Sequence, residues 1–183
     1  VFVSGMISDH FFNADNENFN RLMKRDFYIY STVLSELIDK YGSLGIIDGI
    51  YISHEADNEN MAHPDRQLAA QNFFGKLYAK LKDLIDLPIL SSPFFTRKST
   101  PDQLAKFWDT FLDRPMFDIL AMQDGVGCNR DISPESIPAY YKALQPIFAS
   151  RNIAFWNNIE SFSFNPGYKT SGYDRSKIWL KTA

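Results

Sequence analysis

Five short apolar runs alternate with amphipathic helical segments along this chain of 183 residues. The apolar runs are 1–6, 46–53, 88–92, 117–122 and 153–159. Apolar strands without polar alternation are buried on both faces, and helices between them supply the cover. This alternation therefore predicts an α/β fold in which a parallel sheet packs against helices.

The segments between the strands show helical spacing of apolar residues and recognisable helix ends. Helices are predicted over about 26–41, 65–85, 101–115 and 133–149. Thr100 and Gln103 form a capping-box pattern around Pro101, which predicts where the third helix begins. In the fourth helix, Pro146 is expected to bend or break the far end, because proline lacks a backbone N–H. Residues 161–183 are rich in Gly, Ser, Asn and Tyr and predict a long loop.

The composition excludes several classes of function. The formal net charge is −3, from 19 basic and 22 acidic residues, and no basic run is present, so a nucleic-acid partner is not expected. No apolar stretch is long enough for a membrane span. The single cysteine, Cys128, excludes an intramolecular disulfide and a multi-cysteine metal site. The sequence predicts a single globular domain that covers residues 1–183.

Two closures of the predicted sheet remain open at this point. One is an open doubly wound sheet, and the other is a (β/α)₈ barrel from which strands are missing. The chain begins inside an apolar run at Val1, so we expect further residues upstream, in a longer parent chain. In both folds, the functional site forms at the C-terminal ends of the strands.

Ionisable and polar side chains follow every predicted strand. Two of them are glutamates, Glu55 in Ser53-His54-Glu55 and Glu160 in the run 156–160. Glutamate forms turns poorly, and its burial without a partner is costly, so two glutamates at strand ends favour a functional role. The remaining side chains that we predict to bind substrate are His10, Tyr51, His54, Gln123, Asp124, Trp156, Asn157 and Asn158.

The order of the strands gives the two glutamates a geometric relation. Glu160 follows the third strand after the one that precedes Glu55, and strands three apart face each other across the mouth of an eight-stranded barrel. Their carboxyl groups can then approach to about 5 Å, which is the separation that retaining glycosidases need. Glu55 is the predicted general acid/base and Glu160 the predicted nucleophile.

Alternative roles stay open for the other candidates. Asp124 either hydrogen-bonds sugar hydroxyls or only makes a turn before Gly125. His54 either orients the substrate or is a satisfied buried imidazole. Tyr51 and Trp156 either stack on a sugar ring or pack in the core. Gln123 is predicted to bind sugar hydroxyls or to tune the carboxylates, and Asn157 or Asn158 to hold the 2-hydroxyl.

Four segments resemble the signatures of an uncharacterised bacterial family. They are GIYISHEAD at 49–57, LPILSSPFF at 87–95, MQDGVG at 122–127 and FWNNIESF at 155–162. The family is a glycoside hydrolase-like domain of unknown function that is common in gut Bacteroidetes. The resemblance implies a (β/α)₈ barrel in which this chain holds about strands three to seven.

On that resemblance, Glu55 ends barrel strand four and Glu160 ends strand seven. These are the acid/base and nucleophile positions of a large clan of retaining glycosidases. One departure is His54, because the acid/base glutamate of that clan usually follows an asparagine. The resemblance also implies a carbohydrate substrate, no cofactor, and export to the periplasm or cell surface.

Two other functions compete with hydrolysis of a glycan. The first is a non-catalytic barrel that binds carbohydrate. The second is a metal-dependent hydrolase, for which the candidate ligands are Asp9, His10, His54, Glu55 and Asp57. No HxH or HExxH spacing supports the metal site. A dinucleotide site is not expected either, since the glycine-rich turn at 125–127 lacks the third glycine of that fingerprint.

Overall fold

The sheet is parallel, and its strands follow one another in sequence order. The computed structural model describes residues 1–5, 14–127, 132–160, 162–165 and 168–173. The strands of this five-stranded sheet are β1 (Phe2–Ser4), β2 (Gly49–Ile52), β3 (Ile89–Ser91), β4 (Ile119–Gln123) and β5 (Ala154–Asn158). Each strand pairs in parallel with the next along the chain. The predicted α/β fold with a parallel sheet is confirmed.

Four helices connect the strands: α1 (Asn16–Tyr41), α2 (Pro64–Leu84), α3 (Pro101–Phe111) and α4 (Ile137–Ala149). The start predicted for the first helix, near residue 26, is wrong. Asp15 caps α1 by accepting a hydrogen bond from the Asn18 N–H at 2.8 Å. The first turns are rich in Asn, which is typical of a loop, but the buried Phe19 and Met23 hold them against the core.

The two helix-end signals, at Thr100 and at Pro146, have different outcomes. The capping box of Thr100 and Gln103 is confirmed, with both of its hydrogen bonds formed. Pro146 does not end α4, which continues to Ala149. The last turn stays packed because Leu144 and Phe148, on either side of Pro146, are fully buried.

The C-terminal segment contains a hairpin where a loop was expected. Strands β6 (Phe162–Asn165) and β7 (Tyr168–Tyr173) pair in an antiparallel, two-stranded sheet. The Gly- and Ser-rich composition of this segment hid its strand character. The prediction of a long loop is therefore wrong for these two strands, and the helical turn that the sequence also suggests near the C-terminus lies outside the described residues.

The two faces of the parallel sheet carry different side chains. Side chains alternate between faces along a strand, and residues paired in register lie on the same face. Ile50, Ile52 and Leu120 belong to the main apolar core, which lies between the sheet and the helices, and we call this side the helix face. The other side, the far face, carries the register row Ser4, Tyr51, Leu90, Ile119 and Ala154.

The helices pack side by side along the helix face. Helix α1 contacts α2, and α3 contacts α4. Between α2 and α3, the rings of Phe74 and Phe111 lie 6.1 Å apart, and the Gln71 side chain donates a hydrogen bond to the Phe111 carbonyl oxygen. A doubly wound sheet instead reverses its strand order and carries helices on both faces. Within the part of the chain described above, no helix has the length and apolar character needed to cross a membrane.

Candidate functional site

Glu55 lies just beyond the end of β2, at one end of a row of polar side chains. Its Oε1 accepts a hydrogen bond from Gln123 Nε2 at 2.8 Å. Gln123 is the last residue of β4, so this bond links the ends of two strands that β3 separates. Because an amide carries no charge, it orients the carboxyl group without forming an ion pair.

Ser92 and Asn158 extend this polar row to β5. Gln123 Nε2 also donates to the Ser92 carbonyl oxygen at 2.7 Å. Ser92 Oγ donates to the Ala121 carbonyl oxygen and accepts a hydrogen bond from Asn158 Nδ2, each at 2.8 Å. Gln123 and Asn158 are partners in the β4–β5 register, which explains why they meet. The ends of β2, β3, β4 and β5 are thus connected through Glu55, Gln123, Ser92 and Asn158.

Two aromatic side chains flank this row. Tyr51 is half-buried on the far face, and burial, followed by the charge of Glu55, raises the pKa of its hydroxyl. The Tyr51 hydroxyl therefore stays protonated at neutral pH and can donate a hydrogen bond. The side chain of Trp156 is 47% exposed and stands beside Ala121 in the β4–β5 register. A small neighbour leaves the indole ring accessible.

The second glutamate, Glu160, is held by the loop that follows β4. Glu160 Oε2 accepts a hydrogen bond from the Gly127 N–H at 2.6 Å, and the residue is 7% exposed. In the same loop, Asp124 Oδ1 accepts from the Val126 N–H at 3.1 Å. Gly125 has a φ of 66°, a left-handed conformation that favours glycine. The loop conformation thus brings a backbone N–H onto the Glu160 carboxylate.

A tyrosine from α4 lies close to both acidic residues of this region. The Tyr141 hydroxyl donates to the Met122 carbonyl oxygen at 2.9 Å. Burial, and then the charges of Asp124 and Glu160, raise the pKa of this hydroxyl. Asp124 itself is fully buried between the end of β4 and α4. This location suits the predicted turn, or an influence on Glu160, better than a contact with sugar hydroxyls.

His54 lies on the helix face, away from Glu55. It is 1% exposed, and its Nε2 lies 2.9 Å from Asp26 Oδ2 in α1. The rings of Tyr30 and Phe73 pack against the imidazole, with centroids 5.1 and 4.7 Å away. The structure therefore favours the buried imidazole over a residue that orients substrate.

Asp26 is the partner that the sequence did not reveal. Burial acts to raise its pKa, but the hydrogen bonds from His54 and Arg25 outweigh burial, and the net pKa is lowered. An Arg25 nitrogen lies 2.7 Å from Asp26 Oδ1. Asp26 stands within α1 and is far in sequence from any strand end, so no local pattern marked it.

The loops beyond β2 and β3 are tied together by side chains. Asp57 is fully buried, and its carboxylate accepts hydrogen bonds from the backbone and the side chain of Asn60. Burial raises the pKa of Asp57 despite these bonds. The Asn58 amide donates to Ser99 Oγ at 2.9 Å and accepts from the Thr96 N–H at 3.0 Å. Asp57 and Asn58 thus act as turn and loop residues.

Two of the candidate metal ligands, His54 and Glu55, are too far apart in orientation to bind the same ion. His54 and Glu55 point to opposite faces of the sheet, so they do not converge on one ion. Among the residues that the structure describes, no group of three or more His, Cys, Asp and Glu side chains could hold a metal ion. Two further candidates, Asp9 and His10, lie outside the described residues.

The predicted site residues thus separate into three groups. Tyr51, Glu55, Gln123 and Asn158 come together on the far face, with the exposed Trp156 on the same face of β5. Glu160 and Asp124 both lie close to the Tyr141 hydroxyl. His54 stands apart, and Asn157 is exposed on β5 in register with Met122, a helix-face residue. Sequence reasoning gave no role to Ser92 or Tyr141, since a single hydroxyl at a strand end or on a helix carries no pattern.

Comparison with known proteins yields one match. A family model described as "Domain of unknown function (DUF4434)" matches residues 1–183. Neither the curated proteins nor the solved structures contain a match to this chain.

Proposed function

This chain belongs to the DUF4434 family, and from its own residues we propose that it is a retaining glycoside hydrolase. The family description gives no function. In this proposal Glu55 is the general acid/base and Glu160 is the nucleophile. The substrate is a glycan that binds over the far face at the strand ends. Gln123, Tyr51, Trp156 and Asn158 position it.

We further propose that the sheet is part of a (β/α)₈ barrel, comprising about strands three to seven. Two features support this: the strands are in strictly sequential order, and the helices pack along one face. In such a barrel the far face becomes the interior, and the C-terminal strand ends form the mouth where active sites lie. The remaining strands would come from a longer parent chain.

The observation that carries the proposal is the hydrogen bond from Gln123 to Glu55 at the strand ends. A general acid/base must change its protonation state during each catalytic cycle. The Gln123 side chain is a neutral amide, and its N–H can donate a hydrogen bond to a Glu55 oxygen in both the ionised and the protonated form of the carboxyl group. The Glu55 charge contributes to the raised pKa of the Tyr51 hydroxyl, so Tyr51 is close enough to line the same subsite.

The reaction proceeds in two steps with both carboxyl groups regenerated. Protonated Glu55 gives its proton to the glycosidic oxygen while a Glu160 oxygen attacks the anomeric carbon, and the bond to the leaving group breaks. Glu55, now ionised, takes a proton from water, and the water oxygen displaces Glu160 from the anomeric carbon. The hydrogen bond from the Gly127 N–H keeps the Glu160 carboxylate in place for the attack.

The test is turnover of a panel of aryl glycosides by wild type and two variants. Glu55→Gln and Glu160→Gln should each lower kcat by roughly 10³-fold, in line with the contribution of a positioned acid/base. The matched control is Glu59→Gln, a partly exposed glutamate in the loop after β2 that pairs with Lys98. It should keep full activity. Full activity in either of the first two variants would overturn the assignment.

A non-catalytic carbohydrate-binding protein is the second candidate, favoured by the accessible indole of Trp156 on β5. Calorimetry with oligosaccharides separates the two functions. Binding by wild type and by Glu55→Gln with the same affinity, without turnover of any glycoside, would support binding alone. Loss of affinity in Trp156→Ala would place the sugar on this face.

A further inference from the structure

A groove on the outer surface of α1 and α2 lies outside the proposed glycosidase site. Its volume is about 300 Å³. Met23 and Phe27 from α1 and Phe73 from α2 supply its apolar lining. This volume is at the lower end of the range for small-molecule pockets, roughly 300 to 1,000 Å³.

Each of the two helices contributes one lysine to the groove, Lys24 from α1 and Lys76 from α2. Both side chains are exposed, and among the described residues neither forms an ion pair. Further along α2, by contrast, Lys82 pairs with Asp118. The groove therefore combines an apolar lining with two positive charges that no carboxylate of the described chain neutralises.

We propose that this groove binds a small amphiphilic organic anion. The apolar body of the ligand lies over the partly exposed ring of Phe27, and its carboxylate, sulfonate or phosphate group lies between Lys24 and Lys76. The Asn72 side chain, which also lines the groove, offers a further hydrogen bond. Apolar contact provides the affinity, and the two lysines select for negative charge.

The lining is already fixed before a ligand binds. Met23 and Phe73 are each 2% exposed and belong to the main core. Phe73 also packs against His54 on its inner side, so its ring is held from behind. A preformed site avoids the entropy cost of ordering side chains on binding.

The size of the groove argues for a small molecule over a protein. A stable protein interface buries about 800 Å² on each partner, with a continuous apolar centre. A groove of about 300 Å³ admits only a few side chains and is bordered by lysines. The occupant that fits both size and charge is therefore a free small anion.

The experiment compares an anionic and a neutral probe of the same shape, measured by fluorescence titration. The anionic probe is 8-anilinonaphthalene-1-sulfonate, and the neutral probe is N-phenyl-1-naphthylamine. The double variant Lys24→Gln/Lys76→Gln should weaken binding of the sulfonate by roughly three- to tenfold, as two exposed charge contacts would. It should leave binding of the neutral probe unchanged.

The matched control is Lys40→Gln/Lys80→Gln, which removes the same charge from the same two helices outside the groove. This control should bind both probes as wild type does. A further variant, Phe27→Ala, should weaken both probes, and its circular dichroism melting curve shows whether it folds.

Three outcomes would overturn the proposal. The first is an equal loss of sulfonate binding in the two lysine variants, which would mean that only net charge matters. The second is displacement of the probe by oligosaccharides, which would place it at the glycan site. The third is a wild-type dimer in sedimentation analysis that Phe27→Ala dissociates, since a second copy of the chain would then occupy the groove.

Discussion

His54 and Glu55 are neighbours in sequence, yet they belong to regions of opposite character. His54 points to the helix face, where Asp26 and two aromatic rings enclose it. Glu55 points to the far face, where a neutral amide from Gln123 holds it within a row of polar side chains. The alternation of side chains beyond β2 thus assigns one residue to the scaffold and the next to the candidate site.

The same contrast extends over the two faces of the sheet. The helix face pairs its buried charge, as in Asp26 with Arg25 and His54. The far face joins its polar groups through amides and hydroxyls, as in Gln123, Ser92 and Asn158. We therefore expect substitutions on the helix face to change stability, and substitutions on the far face to change activity.

The largest stability effect is expected for His54→Ala. This change removes a buried ring and leaves Asp26 without one of its partners, which should cost about 3 to 5 kcal/mol in the free energy of unfolding. Urea denaturation measures the loss. The matched change Glu55→Ala should cost less than about 1 kcal/mol. Equal losses in the two variants would remove the distinction between the two faces.

Asp26→Asn tests the contribution of the Asp26 charge to the pair with His54. The quantity measured is the free energy of unfolding as a function of pH. Because the pKa of Asp26 is lowered on folding, its ionised form stabilises the protein at pH values above the pKa of the unfolded chain. That contribution disappears as the pH falls through the lowered, folded pKa. At neutral pH the variant should lose about 1.5 kcal/mol.

The acid limb of the stability curve provides the control for this prediction. Below about pH 4, wild type should lose stability more steeply than Asp26→Asn, since the variant has no carboxylate to protonate. Asp39→Asn, on an exposed position of α1, should follow wild type. Parallel curves for wild type and Asp26→Asn would show that the pair contributes no pH dependence.

Gln123→Leu tests whether a substitution on the far face changes activity more than stability. Loss of the amide should let the Glu55 carboxyl group move, and kcat should fall about tenfold with a smaller change in KM. Stability should remain within about 1 kcal/mol of wild type. The control is Gln67→Leu on α2, which should leave both kinetic constants unchanged. A loss of stability without a change in kcat would assign Gln123 to the scaffold.

Thr100→Ala at the start of α3 should have a small effect that is confined to stability. The change removes the side-chain half of the capping box and should cost about 1 kcal/mol. Thermal unfolding monitored by circular dichroism detects it. Thr100→Ser keeps the hydroxyl and should restore most of the stability, and neither variant should alter turnover.

The sequence was sufficient to predict the α/β fold with a parallel sheet and to mark Glu55 as a candidate site residue. Apolar strands alternating with helices predicted the parallel sheet, and Thr100 and Gln103 predicted the start of α3. Glu55 was found because it follows an apolar run. These features are local, since each depends on residues within a few positions of one another.

What the sequence left undetermined depends on contacts between distant segments. The bond between His54 and Asp26 joins residues 28 positions apart, and that between Gln123 and Glu55 joins residues 68 apart. The strand preceding His54 was predicted to run to residue 53, but β2 ends at Ile52. Only the register of β2 against its neighbours decides which face each of the following side chains meets.

The most direct test of the proposed site is a crystal structure of Glu160→Gln soaked with an oligosaccharide panel. We predict a sugar ring over the far face at the strand ends, with its glycosidic oxygen within hydrogen-bond distance of Glu55 and with Gln123 still bound to that carboxyl group. A sugar bound on the helix face, or one that makes no contact with Glu55, would contradict the account.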